Sequence, residues 1–251
     1  MKRLVAVLLL VAAAPAFADA AASFRDGKWP AVVVQGHAEN TAASLVMAGR
    51  AALAIAAYGT RDKAQALQQV EQAERDFDAA LVKAPTTPDI QLQKAIAIGY
   101  RAKLTKSPGL GKDARRRFEA IRAANPQNAT AWAAVAGWHG GAIATLGNFM
   151  ASTVLSAKKD EIDPGFAKAF KLDPTNPVHR VIYAQTLLDM GTDNALKAAQ
   201  ALQGVGQMPA HDGFEALVRS QGVQIAAALK TGDVKAAQRL SRQLQAFGTI
   251  G

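Results

Sequence analysis

Apolar positions recur at helical spacing along most of the chain, and one phrase built from them occurs three times. Phe77, Phe118 and Phe166 are each followed eight residues later by a proline, Pro85, Pro126 and Pro174. Ten residues beyond each proline stands an alanine (Ala95, Ala136, Ala184), and four residues before each phenylalanine stand Ala73, Ala114 and Ile162. The phenylalanine and the residue four before it share one helix face. Proline removes a backbone donor and disfavours helix at the preceding residue, so it ends one helix and opens the next. The later alanine lies about three turns into that next helix, where a small side chain admits a neighbour. The phrase therefore predicts helical hairpins that bury their apolar faces by stacking on one another.

The elements follow in order. Residues 19–37 hold Trp29-Pro30, a run of Val32-Val33-Val34 and Gly36, show no helical period, and read as an extended N-terminal lead-in packed on the first helix. Helices are expected over 39–58 and over 61–83, the second carrying Leu67, Val70, Ala73, Phe77 and Leu81 at helical spacing. A second hairpin pairs a helix ending near 106 with one over 112–124, across the turn 107–111. The third starts at Asn128 and has a long turn region, 147–162, with room for a short extra helix. The fourth turns at Gly191. A glycine-containing linker, 204–213, leads to a last pair, 214–230 and 233–247, expected to cap the stack.

These motifs carry a resemblance. The chain resembles the tetratricopeptide repeat (TPR) family, whose pattern is Trp-x2-Leu-Gly-x2-Tyr, then Ala-x3-Phe, then Pro. Trp132 and Ala136 match the first segment, Ala73-x3-Phe77 and Ala114-x3-Phe118 match the second, and Leu172-Asp173-Pro174 with Pro177 matches the usual ending. The match spans about 61–202. The phenylalanines are 41 and 48 residues apart, where the family repeats every 34, so added helical turns are expected. The resemblance implies an all-α, right-handed α-solenoid of about five hairpins over 38–251. It also implies a concave groove lined by the first helix of each hairpin. Carried over, the lining is Asp89, Leu92, Ile96 and Gly99, with Tyr100 beside them; then Thr130, Ala133, Gly137 and Gly140; then Val178, Val181, Gln185 and Leu188. That lining is small and apolar with a single charge, which implies an apolar or helical guest, or a groove filled by the chain's own C-terminal helices.

Composition adds location. Lys2 and Arg3, the apolar run 4–14 and Ala16-Phe17-Ala18 form a secretory signal peptide over 1–18, cleaved after Ala18. The expected location is the bacterial periplasm, with no stable membrane insertion after cleavage. Loss of Lys2 and Arg3 leaves 27 of 29 basic residues against 20 acidic ones, a net charge of +7. There is no cysteine, which excludes disulfides and a thiol nucleophile.

Candidate chemistry is sparse. The stretch 133–144 sets Ala133, Gly137 and Gly141 four apart, and likewise Ala136, Gly140 and Ala144, which permits close helix packing or a ligand-admitting groove. His37, His139, His179 and His211 have no metal-ligand spacing, so no metal site or cofactor is expected. Gly109-Leu-Gly111-Lys112 lacks the first glycine and the Ser or Thr of a phosphate-binding loop. Lys112, Arg115, Arg116 and Arg122 make one helix basic, a candidate patch for an acidic partner or anionic head groups. Export and the lack of interleaved aromatics argue against nucleic acid. The expectation is a non-enzymatic envelope scaffold that binds a protein or peptide. The alternative is a periplasmic small-ligand or transporter-accessory repeat protein.

Overall fold

The structure is a computed structural model and describes residues 19–250. The export segment expected at 1–18 lies outside them. The described residues are all-helical, with thirteen α-helices and no strand. The phenylalanines of the repeated phrase lie on α4 (Lys63–Lys83), α6 (Pro108–Ala124) and α9 (Ile162–Leu172). Each of these helices ends one residue short of the proline, in one backbone state. Ala84, Asn125 and Asp173 have φ of −143°, −133° and −139° and ψ of 72°, 76° and 79°. This conformation lies outside the helical region that a following proline disfavours.

The next helices, α5 (Pro88–Thr105), α7 (Ala129–Leu146) and α10 (Pro177–Met190), are also entered in one way. Thr87, Asn128 and Asn176 have φ of −83°, −79° and −79° and ψ of 108°, 103° and 113°. Asn128 and Asn176 accept from the amides of Ala131 and Val178, satisfying donors that a helix start leaves open. The nine positions of the phrase other than the prolines are buried, none more than 5% exposed, while Pro85, Pro126 and Pro174 are exposed. The sequence repeat is therefore also a repeat of backbone geometry and of burial.

Consecutive helices pack in pairs: α4 on α5, α5 on α6, α6 on α7, and α7 on α9 and α10. The short α8 (Asn148–Leu155) lies in the long turn between α7 and α9 and packs on α6 and α7. Beyond α10 come α11 (Ala195–Ala201), α12 (Gly213–Lys230) and α13 (Val234–Leu244). Several crossings close over a glycine. A Cβ on Gly165 would stand 2.8 Å from the Ala136 Cβ, and one on Gly222 would stand 2.5 Å from Val181 Cγ2.

The N-terminal segment differs from the extended lead-in expected at 19–37. It forms α1 (Ala20–Arg25) and α2 (Trp29–Glu39), followed by α3 (Ala42–Ala54) and a π-helical turn, Ile55–Gly59. Pro30 lies in the first turn of α2, where its missing donor costs nothing. Val32 and Gly36 form the buried side, and Gly36 lets α3 cross so closely that a Cβ would lie 2.5 Å from the Ser44 carbonyl. Asn40 ends α2 in the left-handed region at φ 49°, and Thr41 with Ser44 forms a capping box on α3. The valine run hid this short helical face.

The C-terminal pair reaches back to that segment. α12 packs on α10 and α13, and it touches α1 at its first residue. There a Cβ on Gly213 would stand 2.5 Å from Gly27 Cα. Arg50 of α3 bonds Asp212, the N-cap of α12, at 3.0 Å. The last helix stops at Leu244, short of the expected 247, and Phe247 takes φ 66°.

Truncating Phe118, which packs with Ala114, Ile121 and Leu92, should cost about 3–5 kcal/mol as Phe118→Ala. Urea denaturation measures it. A midpoint equal to wild type would mean that the second copy of the phrase is not a packing unit.

Candidate functional site

The residues expected to line one groove divide among several interfaces. On α5, Leu92 is buried against α6 and α7, and Gly99 faces Ala114 and Phe118. Ile96 lies between two clusters, and Tyr100 points towards the C-terminal segment. On α7, Ala133 is buried. Gly137 faces Ile182 and Phe166 at an ordinary 3.7 Å, whereas a Cβ on Gly140 would overlap Thr186 Cγ2. Gly141, one residue on, faces open space. On α10, Val181 lies under Gly222 of α12, and the Leu188 carbonyl accepts from Gln238 of α13 at 2.6 Å. Gln185 is buried beside them, and its Nε2 has no protein partner among the described residues.

One arrangement emerges around Tyr100. After α13 the chain lays residues 245–250 against the π-helical turn and α5. The Phe247 amide donates to the Ala57 carbonyl at 2.9 Å, and its ring stands edge-on to Tyr100 at 5.0 Å. Lys103 donates to the Ala246 carbonyl at 3.0 Å. Ala246 and Ile250 pack on the same cluster as Phe247. Burial pushes the Tyr100 hydroxyl up to about 12, and burial likewise pushes Tyr58 above its ordinary range. Desolvation lowers Lys103 although the residue keeps solvent contact, with Asp189 opposing the shift. The site thus pairs one main-chain acceptor with an aromatic wall and a cation at its edge, a set that suits an apolar peptide segment. Ala57, Tyr58, Lys103 and Phe247 were not singled out in the sequence. The one signal for them is an aromatic, Phe247, placed just past the last helical period.

Two of the basic residues of α6, Arg115 and Arg122, are engaged by other parts of the chain, and the rest are exposed. Arg115 donates to the carbonyls of Leu155 and Ser156, both at 2.9 Å, closing the C-terminal end of α8, and its guanidinium lies 5.4 Å from the Trp138 ring centre. Arg122 bonds Glu161 at 3.1 Å and lies over Trp132, and that bond holds Glu161 below the usual carboxylate range. Arg116 pairs with Asp113, which also holds Arg117 at 2.8 Å. Lys112 is exposed.

Two histidines are structural. His139 is buried and accepts from the Lys158 amide at Nδ1, 3.2 Å away, so its neutral tautomer carries hydrogen on Nε2. Burial holds its pKa below the ordinary value. Burial does the same to His179, with Asp173 opposing. Among the described residues no cluster of three potential metal ligands occurs.

Two predictions follow from this geometry. Gly140→Ala should lose about 1–3 kcal/mol by overpacking, while Gly141→Ala should gain up to about 1 kcal/mol of helix propensity; equal urea midpoints for the two would contradict the packing described. The second concerns pH. Both buried histidines titrate lower when folded than their unfolded value of about 6.5. Their contribution is complete above that pH and is lost as the pH falls through it towards the folded values. The midpoint of wild type should therefore drop between pH 7.5 and 5, and the double variant His139→Asn, His179→Asn should show a shallower drop. A slope unchanged in the variant would exclude these groups. No family model matches the chain, and no curated protein matches it.

Proposed function

We propose that the chain is an exported, non-enzymatic scaffold of the bacterial envelope that binds an apolar protein or peptide segment. Its helices are read as an α-solenoid of about five TPR-like hairpins, right-handed, with the C-terminal pair bridging its inner side. The recurrence of one helix exit and one helix entry at three places supports that reading. So does the burial of the phenylalanine and of both smaller apolar positions in every copy of the repeated phrase.

The observation that carries the binding function is the seat of Phe247. The chain's own C-terminal segment lies on α5 and the π-helical turn as a bound peptide would, through one main-chain bond, one aromatic anchor and one lysine contact. A guest of the same chemistry, with an aromatic residue flanked by small ones, would use the same groups. Tyr100 is the member of the expected groove that takes part directly. Val181, Gln185 and Leu188 lie under α12 and α13 and act in holding the C-terminal pair that presents the segment.

Phe247→Ala should empty the seat while leaving the fold in place. A labelled peptide with the sequence of residues 244–250 should then bind the variant and be excluded from wild type, as read by fluorescence anisotropy. Failure of the folded variant to bind it would contradict the reading. Export is tested separately: protein from the envelope fraction should begin at Asp19, and a chain beginning at Met1 would rule out cleavage.

A further inference from the structure

The turn between α7 and α8 carries the most exposed apolar cluster that is contiguous in the chain. Phe149 is 77% exposed, Met150 49% and Leu146 42%, and every residue from 145 to 150 is exposed. This turn belongs to the added stretch that lengthens the third copy of the repeated phrase. No described segment of the chain covers it. Gly141 and Gly147 beside it have open space where a Cβ would stand. The tip's apolar side chains line neither of the two clefts beside α6, at Lys112–Ser156 and at Arg122–Glu161.

Charge is distributed around the tip in a particular way. From Ala123 to Ala157 the chain has no Asp, Glu, Lys or Arg, so burying the tip desolvates no ion. Cations stand immediately behind it. α8 packs on α6, and α8 is short, so Phe149 lies within about 10 Å along its axis of the end held by Arg115. Lys112 and Arg116 line the cleft between α6 and that end, and Lys158 and Lys159 follow it. On α6 and the segment 158–161, seven cations face four carboxylates. Asp113, Glu119 and Glu161 among the four are paired with arginines. Lys112, Lys158 and Lys159 have no carboxylate within ion-pair distance among the described residues.

We propose that the α7–α8 tip is a docking surface for an anionic phospholipid bilayer, with Phe149, Met150 and Leu146 entering the interface and Lys112, Lys158 and Lys159 facing the head groups. Aromatic and apolar side chains partition into the interface, and flanking cations gain from its negative potential within a Debye length. Either contribution alone gives weak, reversible binding, and the two together give a peripheral anchor. A protein partner is less favoured, because the uncharged tip offers it no ion pair, whereas the cations behind the tip match anionic head groups. The proposal rests on the tip alone and is independent of the peptide seat at Tyr100.

The test is co-sedimentation of the mature chain, beginning at Asp19, with vesicles of phosphatidylglycerol and phosphatidylcholine, against vesicles of phosphatidylcholine alone. Wild type should sediment with the anionic vesicles and be released by molar salt. The double variant Phe149→Ser, Met150→Ser and the triple variant Lys112→Glu, Lys158→Glu, Lys159→Glu should each bind at least tenfold more weakly. Circular dichroism should match wild type, since all five side chains are exposed. Wild type that stays in the supernatant would overturn the proposal, as would full binding by the folded Phe149, Met150 variant. So would an envelope protein crosslinked through position 149 when vesicles are not bound.

Discussion

The fold depends on how closely its helices approach one another, and alanine and glycine set that distance. Gly49 lies under the ring of Phe77, Gly36 under the Ser44 carbonyl, Gly165 on Ala136 and Gly222 on Val181. At each crossing an added methyl would meet its neighbour at 2.9 Å or less. Such interfaces contain little side-chain volume that can rearrange, so each one fixes the register of the next. The phenylalanines supply the large burial that offsets the cost of glycine within a helix, about 1 kcal/mol per position. One size pattern, small against large, thereby determines both stability and geometry.

The C-terminal pair is held differently. α12 and α13 reach from α10 to the N-terminal helices through Gly213 on Gly27 and the Arg50–Asp212 bond. On these facing helices Gln185 Nε2, Gln221 Oε1 and Ser241 Oγ are buried without a protein partner among the described residues. An unmade bond at a buried polar atom costs about 1–3 kcal/mol. Buried atoms without a protein partner also occur within the phenylalanine-centred pairs, at Asp76 Oδ2 and His179 Nε2 among the described residues, so the closure is no exception in this respect.

Much of this was legible in the sequence, for a physical reason. Phe77, Phe118 and Phe166, with their prolines and alanines, act locally, so their spacing marked helix ends to within a few residues. The helix over Trp29–Glu39 was missed because Pro30 and three valines obscured a short apolar face. The site was much less legible. Tyr100 faces a segment that arrives almost 150 residues later in the chain, and Arg115 closes the end of a helix 40 residues away. Gly137 and Gly140 look alike in sequence, yet only Gly140 is pressed by a side chain, that of Thr186. Such roles depend on which helices meet, which periodicity does not encode.

The central claim is that the segment after α13 is seated on α5 and the π-helical turn as a peptide. Amide hydrogen exchange at Phe247, followed residue by residue by NMR, tests it most directly, because that amide is bonded to the Ala57 carbonyl. The account predicts protection well above that of a free peptide, lost in Tyr100→Ala while the amides of α4 stay protected. Exchange at the free-peptide rate in the folded wild-type chain would contradict it.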